Sequence, residues 1–234
     1  MKKLTAVITI ILFSLALNIP ANAGTTTGNR YGLERHYKSE ISPAKAYLLT
    51  NRDRGNRDSR YQNNYNGQDL HQAIIIDVRS IEEYVGGHPP GSYSIPYPHI
   101  YNRQHSAAKG AYIHQNPEDF VAAVNAMDLP KDTLIITMCR TGYRSVLAGN
   151  LLADAGYTNV RNMWEGFKGD AKLSLDGTYK LDLNNDGVVD DSNPYSGDLD
   201  GWSNYQELPV SQILKHDHLY GPYMDMYYTV TGER

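Results

Sequence analysis

The chain has one cysteine, Cys139, among 234 residues. A single cysteine cannot form an internal disulfide, so the presence of this thiol needs another explanation. A buried apolar cysteine is the common structural role, but Arg140, Gly142 and Arg144 are unusual neighbours for an inert side chain. We therefore treat Cys139 as the first candidate for a reactive group.

Long apolar runs are also scarce. The clearest one covers residues 4–17, follows two lysines and precedes Ala21-Asn22-Ala23. This order is typical of a secretory signal peptide with a small-residue cleavage site, and the run is short for a spanning helix. We predict a signal peptide over residues 1–23 and an exported protein, periplasmic or secreted. Because Cys139 lies far from the cleavage site and no later run is long and apolar enough to span a membrane, we expect neither a lipid anchor nor a spanning one.

The sequence has no excess of positive charge. Its 22 Lys and Arg residues face 26 Asp and Glu residues, for a net charge of −4. Removal of the predicted signal peptide, with its two lysines, leaves 20 basic against 26 acidic residues and a net charge of −6. An acidic protein of this kind is a poor candidate for nucleic-acid binding. We expect no nucleic-acid partner.

The residues around Cys139 form a strand, turn and helix pattern. Residues 133–137 are a β-branched apolar run typical of a buried strand, and residues 146–155 carry apolar side chains at helical spacing. The turn between them brings backbone N–H groups and the first helical turn towards the cysteine, which favours the thiolate. Arg140 and Arg144 add positive charge, which favours the thiolate further and attracts an anionic substrate.

The remaining patterns indicate an α/β protein. A helix start at Ser42-Pro43 precedes an apolar strand at residues 74–78, and a second helix start at Asn116-Pro117 precedes the strand before Cys139. A further strand is predicted at residues 159–164. Alternating helices and strands predict an open parallel sheet with helices on both faces.

Several short motifs, taken in order, resemble the rhodanese sulfurtransferase family. The resemblance covers most of the chain from about Ile41 to Val210 and departs from the family in Pro89 and in two insertions, at about 51–70 and 168–200. The motifs are Ile76-Asp77-Val78-Arg79, Glu83-Tyr84, Gly87-His88-Pro89-Pro90-Gly91, Ile95-Pro96, Cys139-Arg140-Thr141-Gly142-Tyr143-Arg144-Ser145, Gly156-Tyr157, Asn159-Val160, Trp164-Glu165-Gly166-Phe167, Gly201-Trp202 and Leu208-Pro209-Val210.

The resemblance implies a rhodanese-like fold and a reaction that needs no cofactor. By this resemblance, Cys139 is expected to take a sulfane sulfur from an anionic donor, thiosulfate or polysulfide, to become a persulfide and to pass the outer sulfur to a thiophilic acceptor. Asp77 and Arg79, at the end of a neighbouring strand, are expected to support the loop. The residues expected to bind substrate are Arg140, Thr141, Gly142, Tyr143, Arg144 and Ser145.

Two other functions share this architecture. A phosphatase or arsenate reductase also places a Cys…Arg loop before a helix, but with five residues between Cys and Arg, whereas four lie between Cys139 and Arg144. The shorter loop fits a single sulfur better than a tetrahedral phosphate. An idle binding module is favoured by loss of the cysteine or of both arginines, and neither is lost. We predict a thiosulfate or polysulfide sulfurtransferase.

The second insertion contains a pattern like the start of a calcium loop. Oxygen-bearing side chains alternate from Asp182 onwards, and Gly187 allows the sharp turn. Asn193 replaces the acidic residue expected at the twelfth position, so an acidic turn without metal remains the alternative. Asp191, Asp198 or Asp200 can complete the coordination shell of a calcium ion instead. A bound calcium ion would have a structural role. The predicted ligands are Asp182, Asn184, Asp186, Val188 through its carbonyl, and Asp190.

The ends of the chain carry weaker patterns. Residues 24–40 are polar without a clear period, and we predict a loosely docked N-terminal arm. The rhodanese domain is predicted to cover residues 41–213. The tail at 214–234 contains two histidines and many tyrosines, which we interpret as a cover for the flank of the domain rather than as a metal site.

Overall fold

The computed structural model describes residues 29–50, 73–102, 112–172, 180–183, 188–189 and 198–219. The predicted signal peptide, the first insertion and most of the C-terminal tail lie outside these residues. The described elements, in chain order, are β1 (Ser39–Ile41), α1 (Pro43–Thr50), β2 (Ile74–Asp77), α2 (Ile81–Val85), β3 (Tyr93–Ser94), β4 (His99–Asn102), β5 (Tyr112–His114), α3 (Pro117–Asn125), β6 (Ile135–Met138), α4 (Tyr143–Asp154), β7 (Val160–Met163) and a 3-10 helix (His216–His218).

Five strands form one sheet in the order β1-β7-β6-β2-β3, and each neighbouring pair is parallel. Strand β6 lies between β7 and β2, and its residues are buried along its whole length. The carboxyl ends of β2 and β6 lie side by side, because Asp77 pairs with Met138. Cys139, the next residue, therefore leaves the sheet beside Val78 and Arg79.

Each face of the sheet has its own hydrophobic core. Alternate residues of a strand point to opposite faces, and β6 follows this rule. Ile135 belongs to the core that contains Phe120 of α3 and Val146 of α4. Ile136 belongs to the core that contains Leu49 of α1. The fold is therefore the predicted α/β arrangement, with a parallel sheet and helices on both faces.

The sequence patterns located the starts of α1 and α3 and the bounds of β2, β6 and β7 to within two residues. Helix α3 begins after Asn116 with Pro117 in its first turn, and α2 begins after Ser80, whose backbone N–H donates to the Glu83 carboxylate at 3.1 Å. The antiparallel pair β4 and β5 was not predicted. None of the described helices has the length and apolar composition needed to cross a membrane.

The N-terminal arm is packed more firmly than its sequence suggested. Tyr37 is 3% exposed, and the N–H of Lys38 donates to the carbonyl of Val160 at 2.9 Å. The next residues form β1, which pairs with β7. The arm lacks a periodic apolar face because single residues hold it to distant segments, and such contacts leave no pattern in the sequence.

Candidate active site

Cys139 is the first residue of the turn between β6 and α4 and is 1% exposed. The N–H of Gly142 donates to its Sγ at 3.1 Å, and the Ser145 hydroxyl lies 3.5 Å from the same atom. Gly142 has a φ of +104°, and a Cβ there would lie 2.4 Å from the Trp164 carbonyl oxygen. Only glycine fits this position. The turn therefore directs a backbone donor and a hydroxyl at a sulfur atom, as a thiolate or persulfide anion requires.

A second turn, at residues 164–169, encloses the cysteine loop from outside. The N–H of Phe167 donates to the carbonyl of Cys139 at 2.8 Å, and the N–H of Lys168 donates to the carbonyl of Arg140 at 2.9 Å. These bonds satisfy loop carbonyls that are partly shielded from water. They also direct those carbonyls away from the centre of the loop, which leaves the N–H side for an anion.

Arg144 is bound to another side chain. Its two terminal nitrogens donate to the two carboxylate oxygens of Glu83 at 2.7 and 3.0 Å. Burial acts to raise the pKa of Glu83, but the hydrogen bonds and charge of Arg144 outweigh burial and lower that pKa to about 2. The sequence suggested that Arg144 binds the donor directly. The geometry gives its guanidinium to Glu83 instead, so its charge acts on the loop as one half of an ion pair.

Arg140 has the opposite environment. Its side chain is exposed, and among the residues that the structure describes it forms no ion pair. It borders a cavity of about 540 Å³ that Lys168, Phe167 and Arg79 also line. Burial, together with the charges of Arg79 and Arg140, lowers the pKa of Lys168. Glu82 and Glu83 line the other side of the cavity, and Glu83 is paired with Arg144. An anion is therefore favoured on the side of Arg140 and Lys168.

Asp77 and Arg79 form a buried ion pair at the end of β2. The Arg79 Nε donates to Asp77 Oδ1 at 3.0 Å, and a terminal nitrogen donates to the carbonyl of Gly87 at 2.7 Å. The guanidinium lies 3.9 Å from the centroid of the Phe167 ring. Because the N–H of Phe167 holds the carbonyl of Cys139, the pair acts on the loop through Phe167. This geometry fits the expected supporting role.

One residue of the site, Tyr31, was not predicted from the sequence. Its hydroxyl donates to the carbonyl oxygen of Thr141 at 2.8 Å and lies 2.7 Å from Thr141 Oγ1. Its ring meets the ring of Tyr143 edge to face, with centroids 5.3 Å apart. Tyr143 itself is 46% exposed at the mouth of the loop. The N-terminal arm is therefore part of the site.

Arg30 anchors this part of the arm. Its guanidinium forms an ion pair with Asp200, which is 1% exposed, and lies 4.9 Å from the ring centroid of Trp164. The Asp200 carboxylate also accepts a hydrogen bond from the N–H of Asp170 at 2.9 Å. These contacts join the arm to the end of the second insertion.

The predicted calcium loop lies only partly within the described residues. Asp182 and Val188 are described, whereas Asn184, Asp186 and Asp190 are not. Within the described ranges, no three His, Cys, Asp or Glu side chains are grouped so as to hold a metal ion. The buried carboxylate of Asp198 accepts a hydrogen bond from the N–H of Leu183 at 2.6 Å, beside the start of the pattern. Calcium binding stays a prediction.

The chain is similar to several known proteins. A family model described as Rhodanese-like domain matches residues 59–172. An uncharacterized protein of Rickettsia prowazekii is 34% identical over 98 residues, which cover 42% of this chain and 71% of that protein. Thiosulfate sulfurtransferase 16, chloroplastic, of Arabidopsis thaliana is 33% identical over 100 residues, which cover 43% of this chain and 75% of that protein. The crystal structure of Rv0390 from M. tuberculosis superposes with a TM-score of 0.41 and 21% identity, over 76% of this chain and 99% of that one.

Proposed function

This chain belongs to the rhodanese-like domain family, and we propose that it moves a sulfane sulfur from thiosulfate or polysulfide to a thiophilic acceptor through a persulfide on Cys139. The observation that carries the proposal is the N–H of Gly142, 3.1 Å from Sγ within a loop of four residues between Cys139 and Arg144. A donor in this position stabilises a thiolate before the reaction and a persulfide anion after it.

The proposed reaction has two steps that share one covalent intermediate. In the first step, the Cys139 thiolate attacks the sulfane sulfur of thiosulfate. The sulfur–sulfur bond of the donor breaks, and sulfite leaves with the electron pair. In the second step, the acceptor attacks the outer sulfur of the persulfide, and the electron pair of the breaking bond returns to the Cys139 sulfur. The thiolate is regenerated, and no external oxidant or reductant is needed.

The cavity beside the loop supports the choice of an anionic donor. Arg140 and Lys168 border it, and neither forms an ion pair with any described residue. A dianion that enters the cavity gains charge-assisted hydrogen bonds from these two groups. In this proposal Arg140 binds the donor, whereas Arg144 holds the shape and the charge of the loop through Glu83.

An intact mass measurement tests the function directly. After incubation with thiosulfate or polysulfide, the parent protein is expected to gain the mass of one sulfur atom and to lose it on addition of cyanide. Cys139→Ser keeps the size of the side chain but weakens the nucleophile, so loading and turnover are both expected to disappear while the melting temperature stays close to that of the parent. A parent protein that never loads sulfur from either donor contradicts the proposal and favours an idle binding module.

The sequence supports two further proposals on structure and location. We propose that calcium binds at Asp182, Asn184, Asp186, Val188 and Asp190 and stabilises the second insertion. Calcium is then expected to raise the melting temperature, and Asp182→Ala with Asp186→Ala is expected to remove the rise while sulfur transfer is retained. A melting temperature that calcium leaves unchanged contradicts this.

We also propose that the protein is exported and that its mature form begins near Gly24. The N-terminal sequence of protein recovered from periplasmic or extracellular fractions checks this. The proposal is wrong if the protein is found only in the cytoplasmic fraction and still carries residues 1–23.

A further inference from the structure

The peptide group that joins Thr141 to Gly142 is bound at both ends. Its carbonyl oxygen accepts a hydrogen bond from the Tyr31 hydroxyl at 2.8 Å, and its N–H donates to Cys139 Sγ at 3.1 Å. The carbonyl and the N–H of a trans peptide group are coplanar and point in opposite directions. A residue that fixes the carbonyl on the outside of the loop therefore fixes the N–H on the inside.

This peptide group needs such a partner because Gly142 follows it. Gly142 has a φ of +104°, in the left-handed region. Because glycine has no Cβ, it adopts this conformation without a steric penalty, and the peptide groups beside it rotate with little steric resistance. Rotation of the 141–142 peptide group by half a turn would point its carbonyl oxygen at Sγ. The N–H donor beside Sγ would then be replaced by the carbonyl oxygen, whose partial negative charge repels a thiolate or persulfide anion.

Tyr31 is well held in the position from which it contacts the loop. Its N–H donates to Asn29 Oδ1 at 3.2 Å, its ring lies against Tyr143, and the adjacent Arg30 is bound to Asp200. Burial raises the pKa of the Tyr31 hydroxyl, so the group keeps its proton at neutral pH. A phenol has one proton to give. When that proton goes to the Thr141 carbonyl, the Thr141 hydroxyl can donate in return to the phenol oxygen.

We propose that Tyr31 is a positioning residue of the sulfur-transfer site, which holds the Thr141–Gly142 peptide group so that the Gly142 N–H stays directed at Cys139 Sγ. A hydrogen bond accepted by the carbonyl also polarises the N–H of the same peptide group and strengthens its donation to sulfur. The N-terminal arm thereby controls the charge state of the nucleophile without touching the substrate. The inference deepens the proposed function, because it assumes that the Cys139 sulfur is the atom that needs the donor.

The charged groups around Cys139 allow the effect of Tyr31 to be isolated. Arg144 is paired with Glu83, and Arg79 is paired with Asp77. Other charges near the loop are those of Arg140 and Lys168 at the cavity, and of Asp170 and the Arg30–Asp200 pair on the side of Tyr31. Replacement of Tyr31 by Phe changes none of these charges and keeps the ring that packs on Tyr143. A change in thiolate formation is then due to the lost hydrogen bond.

The test compares Tyr31→Phe with Tyr157→Phe in the mature full-length protein. Tyr157 is a matched control, because its hydroxyl also donates one hydrogen bond, to Asn125 Oδ1 at 3.0 Å, but at the far end of α4. The pH dependence of Cys139 alkylation by iodoacetamide reports the thiolate. Tyr31→Phe is expected to raise the alkylation midpoint by about half a pH unit to one pH unit, whereas Tyr157→Phe is expected to lower only the melting temperature.

Steady-state kinetics give a second readout. Tyr31→Phe acts on the nucleophile and not on donor binding, so kcat for thiosulfate is expected to fall by about three- to tenfold near neutral pH with little change in KM. Arg30→Lys, which weakens the anchor to Asp200 but keeps the positive charge and the Tyr31 hydroxyl, is expected to change the alkylation midpoint in the same direction by a smaller amount. It serves as the test if Tyr31→Phe does not fold.

The outcomes separate the positioning role from its alternatives. If Tyr31→Phe lowers the melting temperature as Tyr157→Phe does and leaves the alkylation midpoint unchanged, Tyr31 has a structural role only and the inference is wrong. A rise in KM with an unchanged kcat places Tyr31 in donor binding and also overturns it. Alkylation requires no sulfur donor. A shifted midpoint in a protein that never loads sulfur therefore refutes the proposed function and leaves the effect of Tyr31 on the thiol intact.

Discussion

Arg140 and Arg144 belong to the same short loop, but they have opposite surroundings. Arg140 is exposed beside a cavity and forms no ion pair with any residue in the described part of the chain. The side chain of Arg144 is 15% exposed, and its guanidinium donates to both carboxylate oxygens of Glu83. A positive charge is available to a ligand only when the fold leaves it without a partner. The spacing of arginines in a loop therefore predicts charge near the cysteine, but not which arginine binds the donor.

The position of Arg144 in its helix explains why it has a partner. Arg144 lies in the first turn of α4 and Asp154 is its last residue, so both charges are at the ends that the helix dipole disfavours. Each is compensated from another segment. Glu83 binds Arg144, and the Nδ1 atom of His36 lies 2.8 Å from an Asp154 oxygen. The side chains of the first pair are 15% and 30% exposed, whereas those of the second are 38% and 57% exposed. The first pair should therefore contribute more to stability than the second.

Replacement of Arg144 is expected to have the largest effect on stability. Arg144→Gln leaves the partly buried Glu83 carboxylate without its cation, and we expect a loss of about 1 to 3 kcal/mol of unfolding free energy, between the values for exposed and fully buried pairs. Urea unfolding measures this cost. Glu83→Gln is expected to cost a similar amount, and the double variant less than the sum of the two single variants. A cost below about 0.5 kcal/mol for Arg144→Gln would show that the pair behaves like an exposed one.

Acid is expected to weaken the same pair. Arg144 lowers the pKa of Glu83 in the folded protein to about 2, against an ordinary value of 4.5. The pair therefore contributes its full stabilisation above pH 4.5 and loses it as the pH falls towards 2. The difference in unfolding free energy between the parent and Glu83→Gln should shrink over this range. If the difference is the same at both ends of the range, Glu83 does not titrate as proposed.

Replacement of Arg140 is expected to affect the donor and leave the fold unchanged. Arg140→Gln should raise the KM for thiosulfate by about tenfold, which corresponds to the loss of one charge-assisted contact, and should change stability by less than about 0.5 kcal/mol. Added salt should narrow the gap in KM between the parent and the variant. Lys38→Gln removes an exposed positive charge from the arm, where Lys38 contacts only Asn159 through its side chain among the described residues, and serves as the control. An equal rise in KM for both variants would attribute the effect to net charge.

The exposed pair at the other end of α4 is expected to have the smallest effect. The hydrogen bond to Asp154 raises the pKa of His36. The pair therefore stabilises the fold below the unfolded pKa of about 6.5 and loses this stabilisation as the pH rises through the folded value. His36→Gln should lower the unfolding free energy by a few tenths of a kcal/mol at about pH 5 and leave it unchanged at about pH 8. A larger cost at the higher pH would contradict the assigned direction.

The sequence could predict the fold and the turn that carries Cys139 because both leave local patterns. The apolar run at 74–78 and the helical spacing after Val146 are properties of adjacent residues. The pairing of Arg144 with Glu83 and the docking of Tyr31 on Thr141 join residues that are distant in the chain. Neither contact produces a regular spacing of residues in the sequence, because the partners become neighbours only in the folded protein. The sequence identified the charged groups of the loop, but their partners required the three-dimensional structure.

The turn at 164–169 limits how the chemistry of this loop can be changed by engineering. The carbonyls of Cys139 and Arg140 are already bound to N–H groups of the turn, and a Cβ on Gly166 would lie 2.6 Å from the Arg140 carbonyl carbon. A residue inserted between Cys139 and Arg144 to make room for a phosphate would have no space on this side. Conversion of the loop into a phosphate cradle would therefore require a new 164–169 turn in the same variant. Single insertions are expected to yield unfolded or inactive protein rather than a weak phosphatase.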